Sequence, residues 1–250
     1  MHVAALYRHP IKSHGREAID RITLTKGQTM PWDRTWAVTH EATKYDPDNP
    51  GWAHCRNFML GSRTPGLAGI WAKLNETTRT VTLTHIDLPD ITIQPDEPTD
   101  VARFLAWVAP LCPDDRAGPM DIISAGQQGM TDSQVGALSI ANLASHGAVQ
   151  DALGSPITLE RWRANIWIDG AEPWVEHNWL GQDLRIGKAV FGIRERARRC
   201  SLTNTNPVTG LRDLTVLDTL NGTFGHQDFG VYAEVIETGE VALNDTAELI

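Results

Sequence analysis

The chain has 250 residues, of which 41% are hydrophobic and 21% charged, with 22 Lys and Arg against 31 Asp and Glu. This suits a globular protein long enough to bury one large core or two small ones. The formal charge of −9 argues against non-specific nucleic-acid or anionic-membrane binding, since both need a broad positive surface. It leaves open a local positive pocket.

The three cysteines, Cys55, Cys112 and Cys200, form no CxxC pair and no even disulfide framework. Reduced thiols in a cytoplasm are the simplest reading. The opening MHVAALYRHPIKSHG holds His2, Arg8, His9 and Lys12 and begins no apolar run of signal length. No stretch approaches the ~18 apolar residues of a membrane span. The expectation is a cytoplasmic protein with no nucleic-acid and no membrane partner.

In chain order, Val3 to Tyr7 reads as a short strand, and Ile22, Leu24, then Trp36 and Val38 alternate with polar neighbours. Tyr45 to Gly51 (YDPDNPG) is an irregular loop, because its prolines and turn residues block regular pairing. Val81 to Thr84 returns to period two, and the punctuated stretch Leu88 to Pro98 closes this first unit. A helix capped by Thr99 or Asp100 then places Val101, Phe104, Leu105 and Val108 on one face, and Pro110 stops it. Gly126 to Gly129 is a turn. A second helix is expected from Ser139, with Ile140, Leu143 and Ala144 on one face and Gly154 as its C-terminal cap. Strands follow at Ile157 to Ile168, Leu184 to Ile193 and Val231 to Thr238. The fold class read from this pattern is mixed α/β and β-rich, with few short helices. Two units are expected to meet near residue 95, a smaller N-terminal β-rich domain at 1–95 and a second domain at 96–250.

Chemistry concentrates in two segments. Arg194 to Cys200 carries four arginines and one glutamate, a local +3 on an acidic chain. Guanidinium groups beside a cysteine favour its thiolate, which serves as nucleophile, redox centre or soft-metal ligand. The bland alternative is an exposed basic strand end with an incidental thiol. In Arg161 to Ile168, period two puts Arg163 and Asn165 on one face and Ala164, Ile166 and Ile168 on the other. A guanidinium fork and an amide so placed suit phosphate or a heteroaromatic edge, though for this segment alone a solvated strand face is the better reading. No HExxH, Walker, GxGxxG or GxSxG pattern is present, so zinc, nucleotide and serine-hydrolase chemistry have no motif support.

Taken together and in order, the segments resemble one family. LYRHPIKS (Leu6 to Ser13), DRTWAV (Asp33 to Val38), Thr131-Asp132-Ser133 with ALSIANL (Ala137 to Leu143), RWRANIWIDG (Arg161 to Gly170), RCSLTNTNPVTG (Arg199 to Gly210) and FGVY (Phe229 to Tyr232) are similar to motifs of MOSC proteins. These carry the molybdenum-cofactor sulfurase C-terminal domain after an N-terminal MOSC β-barrel domain. Within that family the likeness is to the mitochondrial amidoxime-reducing component and its bacterial relatives.

The resemblance implies a MOSC β-barrel fold and binding of molybdenum cofactor (Mo-molybdopterin). Cys200 would be metal ligand and catalytic centre, with Arg199 beside it. Arg163 and Asn165 would hold the pterin or its phosphate. Lys12, Ser13, Arg34 and Arg56 would approach from the N-terminal domain, and Thr131, Asp132, Ser139 and Asn142 from a loop and helix start. The implied activity is reduction of small N-hydroxylated compounds by oxygen-atom transfer to molybdenum. The alternative is a non-catalytic carrier of cofactor or sulfur, and a blander one is a protein-interaction module. Ala197, Asn206, Asn142 and Ala164 depart from the usual Cys, Asp, Ser and Pro. With no cysteine after Cys200, a C-terminal iron–sulfur cluster is not expected. Electrons would then come from an external donor protein, such as a ferredoxin-, flavoprotein- or cytochrome-type reductase.

Overall fold

The computed structural model describes residues 1–49, 51–125, 128–133 and 138–250. Strand β1 (His2–Arg8) buries Val3 and Leu6 on one face because a bulge between Val3 and Ala5 shifts the period of two. It is followed by β2 (Glu17–Ala18), β3 (Arg21–Leu24) and β4 (Trp36–His40). An antiparallel meander comes next: β5 (Trp71–Asn75), β6 (Thr80–His85) and β7 (Leu88–Ile93). The punctuated stretch from Leu88 is therefore strand for its first six residues. Its Pro89 is tolerated because β7 is the edge of that sheet.

Helix α1 (Pro98–Val108) buries Phe104, Trp107 and Val108. Its start differs from expectation. Pro98 occupies the first turn, where its missing N–H costs nothing, and Asp100 accepts the Gln94 N–H (2.8 Å) rather than capping. The next elements are β8 (Pro119–Ser124), β9 (Leu138–Asn142) and α2 (Leu143–Leu153). Ser139 thus lies in a fully buried strand. The helix begins four residues later, with the Asn142 side chain accepting from Ala144 N–H and Gly154 closing it in the left-handed region. A run buried on both faces reads alike as strand or helix, and here the strand prevails. The turn expected at Gly126 to Gly129 lies partly outside the described residues.

Strand β10 (Ile166–Asp169) is also shorter than expected. Residues Leu159–Trp162 form a 3-10 turn, and Arg163 takes φ 51°. Strands β11 (Asp183–Ile186) and β12 (Ala189–Arg198) divide what reads as one strand, through a two-residue turn at Gly187 and Lys188. A short α3 (Val216–Thr219), β13 (Asp228–Glu237), β14 (Gly239–Ala242) and β15 (Ala247–Leu249) complete the chain.

The fold is β-rich, with three α-helices among the described residues and a curled, half-barrel sheet ordered β15-β11-β12-β13-β9-β10-β1-β2. Its pairs are antiparallel except β9 with β10, which are parallel because α2 carries the chain across between them. At Gly230 (φ 71°) a Cβ would stand 2.5 Å from Ile140 O, so only glycine lets β13 approach β9 this closely.

Among the described residues four apolar clusters form, a small one at Phe58, one around Trp162, Trp167 and Phe229, and two larger cores. One, including Leu6, Leu138, Ile166, Phe191 and Val231, packs on the large sheet. The other joins Ile11, Trp36 and Val38 to Val81, Phe104, Val108 and Ile122. Early strands thus enter the large sheet, while α1 and β8 complete the other core. No helix among the described residues is long and apolar enough to cross a membrane.

Candidate functional site

Between the two cores lies a cleft of about 680 Å³, counting its open mouth. It is built from three pieces. The first is the segment leaving β1, where His9 to Lys12 runs beside Arg34 to Trp36 through Arg34 N→His9 O (2.6 Å), Trp36 N→Pro10 O (3.2 Å) and Lys12 N→Trp36 O (2.7 Å). Asp33 fastens this lip. Its buried carboxylate accepts His9 N–H (2.8 Å), approaches His9 Nδ1 (3.1 Å) and pairs with Arg34 Nη1. Burial alone would raise the Asp33 carboxyl, but Arg34 and His9 reverse this and hold it well below the usual range. Burial pushes His9 down to about 3, with Arg163 and Arg34 adding to the effect, so His9 is neutral at pH 7.

The second piece is the floor where β9 meets the approach to β10. Asn165 Oδ1 accepts from Ser139 N–H and Oγ–H (both 3.1 Å), and its Nδ2 reaches Tyr7 O (3.3 Å). The third piece is the end of β12, from which Arg198, Arg199 and Cys200 lead into a 3-10 turn at Ser201–Asn204. Three non-glycine residues of the lining take left-handed backbone conformations: Ser13 (φ 64°), Arg34 (φ 55°) and Arg163 (φ 51°). Each costs of the order of 1 kcal/mol or more, and such strain gathers where side chains must be aimed.

Of the residues expected from sequence, Lys12, Ser13, Arg34, Asp132, Ser139, Arg163, Arg199 and Cys200 line this cleft together. Four do not. Asn165 (1% exposed) is spent on Ser139 and Tyr7 and positions the floor from behind. Asn142 (0%) caps α2 and donates to Glu172 O (2.8 Å) and Glu176 (3.0 Å). The buried Thr131 hydroxyl donates to Ser133 O (2.7 Å). Arg56 lines a neighbouring cleft.

The helix N-terminus expected near Ser139 is absent from this cleft, because Ser139 is in β9. The shared face expected for Arg163 and Asn165 also fails, since left-handed Arg163 precedes β10 rather than extending it. Of the basic run, Arg194 turns away to pair with Glu234 (3.0 Å), and only Arg198 and Arg199 reach the cleft.

Sequence reading passed over Arg161, Arg198, Tyr232 and the wall Leu60-Gly61-Ser62. Arg161 and Tyr232 sat inside noted motifs, but nothing local marks residues 60–62. Leu202 brings them in, since a Cβ on Gly61 would stand 2.8 Å from its Cδ1.

Electrostatically the cleft is short of negative charge. Six cationic side chains face it against one carboxylate, Asp132. Arg161 pairs with Asp213 (2.7 Å), Arg34 with Asp33, and Lys12 with Asp132 (2.5 Å) while donating also to Met130 O (2.7 Å). Burial raises and Lys12 with Arg34 lowers the Asp132 carboxyl, to about 2. Its side chain is 57% accessible, so solvent screens the pair.

Arg163 and Arg199 have no carboxylate within ion-pair distance among the described residues. Arg163 donates only to Gly15 O (3.2 Å), and Arg199 to Phe229 O (2.7 and 2.9 Å) and Trp162 O (2.7 Å). Burial, then Arg34 and Arg16, lowers Arg163 to about 9, and burial lowers Arg199. Both stay charged at pH 7. Guanidinium groups that oppose one another's charge in this way suit an anion such as a phosphate or carboxylate.

Cys200 stands exposed among them, a free thiol. No group of three or more His, Cys, Asp or Glu converges among the described residues. The donor set is therefore one soft ligand plus an anion cradle. This fits a metal that brings its own anionic organic ligand.

Comparison with known proteins agrees over the chain. Residues 1–109 match the MOSC N-terminal beta barrel domain and residues 127–248 match the MOSC domain. Among solved structures, YiiM from Geobacillus stearothermophilus aligns over 45% of this chain and 53% of its own, at 16% identity and TM-score 0.35. The chain thus spans about half the length of that protein. The YUAD protein from Bacillus subtilis aligns over 99% of this chain and 94% of its own, at 13% identity and TM-score 0.47. No curated protein sequence matches.

Proposed function

Because the chain belongs to the MOSC family, with the MOSC N-terminal barrel ahead of the MOSC domain, we propose that its cleft binds molybdenum cofactor and that the protein reduces small N-hydroxylated compounds. The single observation carrying this reading is the exposed Cys200 thiol beside Arg163 and Arg199, two guanidinium groups without carboxylate partners among the described residues.

In this reading Cys200 is the protein's metal ligand. Arg163 and Arg199 hold the cofactor's anionic end, and Arg34 borders it from the opposite lip. When bound, the cofactor supplies a two-electron couple able to take oxygen from an N–O bond. The net reaction consumes two electrons and two protons and yields amine and water. An external donor protein supplies the electrons.

The chain's own part is binding and orientation. Asp33 fixes the Arg34 side, and Asn165 keeps the Ser139 hydroxyl turned back toward the floor. Lys12 Nζ spends two protons on Met130 O and Asp132 and has a third free to donate into the cleft.

The test is metal and pterin analysis of protein made in a cofactor-competent host. Near-stoichiometric molybdenum that is lost in Cys200→Ser, with benzamidoxime reduction under an artificial donor, supports the enzyme. Cofactor bound without reduction of any N-hydroxylated compound favours a carrier, a role consistent with the exposure of Cys200. Absence of cofactor defeats both.

A further inference from the structure

Across Leu60 from the thiol cleft lies a second cleft of about 660 Å³, and Leu60 lines both. Its floor is apolar: Phe58 and Met59 are 1% and 4% exposed. Its rim carries Arg56, Arg63 and Arg116, all exposed, the first two from the stretch 56–64 and the third from a separate segment.

None of the three has an ion-pair partner among the described residues. The lining of the cleft holds no acidic side chain to neutralise them. A carboxylate does lie close by, but Glu41 accepts the Gly118 N–H (3.3 Å) instead.

His40 fixes part of the rim. Its Nδ1 accepts Ala42 N–H (3.2 Å), so Nε2 is the donor to Arg56 O (2.8 Å) and the ring is the neutral tautomer. The Arg56 backbone is thereby tethered to the strand that forms one wall.

We propose that this second cleft is a binding site for a small molecule carrying a carboxylate or phosphate on an apolar, ring-sized body. The two halves of the argument are complementary. Guanidinium forks match the planar carboxylate and the phosphate oxygens bidentately. The Phe58 and Met59 floor removes an apolar body from water, and methionine adapts to its shape. A neutral apolar ligand would leave the guanidinium groups unused, and an inorganic anion would leave the floor uncovered. As a binding site this stands apart from the cofactor reading. As a determinant of which substrates reach the thiol cleft, it rests on that reading.

The full chain is titrated with 1-naphthoate, 1-naphthyl phosphate and the neutral 1-naphthamide by calorimetry and by chemical-shift perturbation. The expected result is saturable binding of both anions, with the amide at least about tenfold weaker. Raising NaCl from about 50 to about 500 mM should weaken the anions and spare the amide. Arg63→Ala with Arg116→Ala should cost the anions at least about tenfold, while Arg63→Lys with Arg116→Lys recovers part of it.

Arg163→Ala, on the other side of Leu60, tells the two clefts apart: naphthoate affinity lost in that variant but kept in the double alanine variant places the anion in the thiol cleft and overturns the proposal. Equal binding of acid and amide, or naphthoate affinity unaltered in the double alanine variant, overturns the proposal. So does the absence of saturable binding below about 10 mM. The titration needs neither molybdenum nor turnover, so a failure here and a failure of the cofactor assay are separate results.

Discussion

Replacing Asp33 by asparagine preserves the shape of the side chain and removes one negative charge from the lip of the thiol cleft. The wild-type carboxylate is 2% exposed and serves His9 N–H (2.8 Å), His9 Nδ1 (3.1 Å) and Arg34 Nη1 at once. Removing one partner of a buried ion pair costs roughly 3–5 kcal/mol, because the remaining charge is left uncompensated. The asparagine oxygen can still accept the His9 N–H, which returns about 1 kcal/mol. The expected net loss is thus about 2–4 kcal/mol, or a fall of roughly 1 M in the urea midpoint.

Tryptophan fluorescence at pH 7 measures this. The acid limb gives a second check. The Asp33 carboxyl is held below its free value of 3.8, so its stabilisation is fully present above that pH and is lost as pH falls through the depressed folded value. The gap between wild type and Asp33→Asn should hold from about pH 5 to pH 8 and narrow below about pH 4. A loss under about 1 kcal/mol at pH 7, or a gap unchanged down to about pH 3, refutes the assignment of Asp33 as the charge that fastens Arg34.

The histidines produce a different acid limb. His9, His14 and His177 are lowered by burial to about 3, 4 and 4 from 6.5. The unfolded chain therefore binds their protons first, and stability should fall as pH drops from about 6.5 toward 4, measured as a decline in urea midpoint. A flat profile over that range contradicts their burial as neutral rings. Asn165→Ala strips the floor of its tie to Ser139 and Tyr7, and with two to three buried groups unpaired should cost about 2–4 kcal/mol in urea melts.

Trp162→Ala opens a cavity against Phe229, whose ring it stacks on at 3.6 Å, and a loss of about 3–5 kcal/mol is expected in thermal unfolding. Gly129→Ala would set a Cβ 2.2 Å from Asp33 O, so it should destabilise by about 1–3 kcal/mol, and an unchanged melting temperature would dispute that contact.

Much of this protein was legible in one dimension. The short apolar run at Val3 to Tyr7 and the alternation at Trp36 to Val38 and at Val231 to Thr238 pointed to β1, β4 and β13, and in β13 the period holds because a strand with one buried face writes it into its own residues. Gly154 ended α2 for an equally local reason, the left-handed backbone at a helix C-terminus. The ordered motifs brought the family and eight lining residues into view together, since short polar segments beside turns keep their identity wherever the chain takes them.

Tertiary structure decided the rest. The stretch from Leu138 to Asn142 is buried on both faces and has no period to read, so its parallel pairing with β10 made it strand rather than helix. Left-handed turns at Ser13, Arg34 and Arg163 aim side chains in directions that no regular period predicts. Asn165 and Asn142 became internal ties because each amide finds its partners in segments distant in sequence. The wall at residues 60–62 and the arginines of the second cleft carry no local signature. They are sites only because folding sets them beside Leu202 in one case and over Phe58 and Met59 in the other. Composition fixed how much charge the chain carries. Which guanidinium groups lack a carboxylate was settled by three-dimensional packing, since ion pairing depends on distance in space and not along the chain.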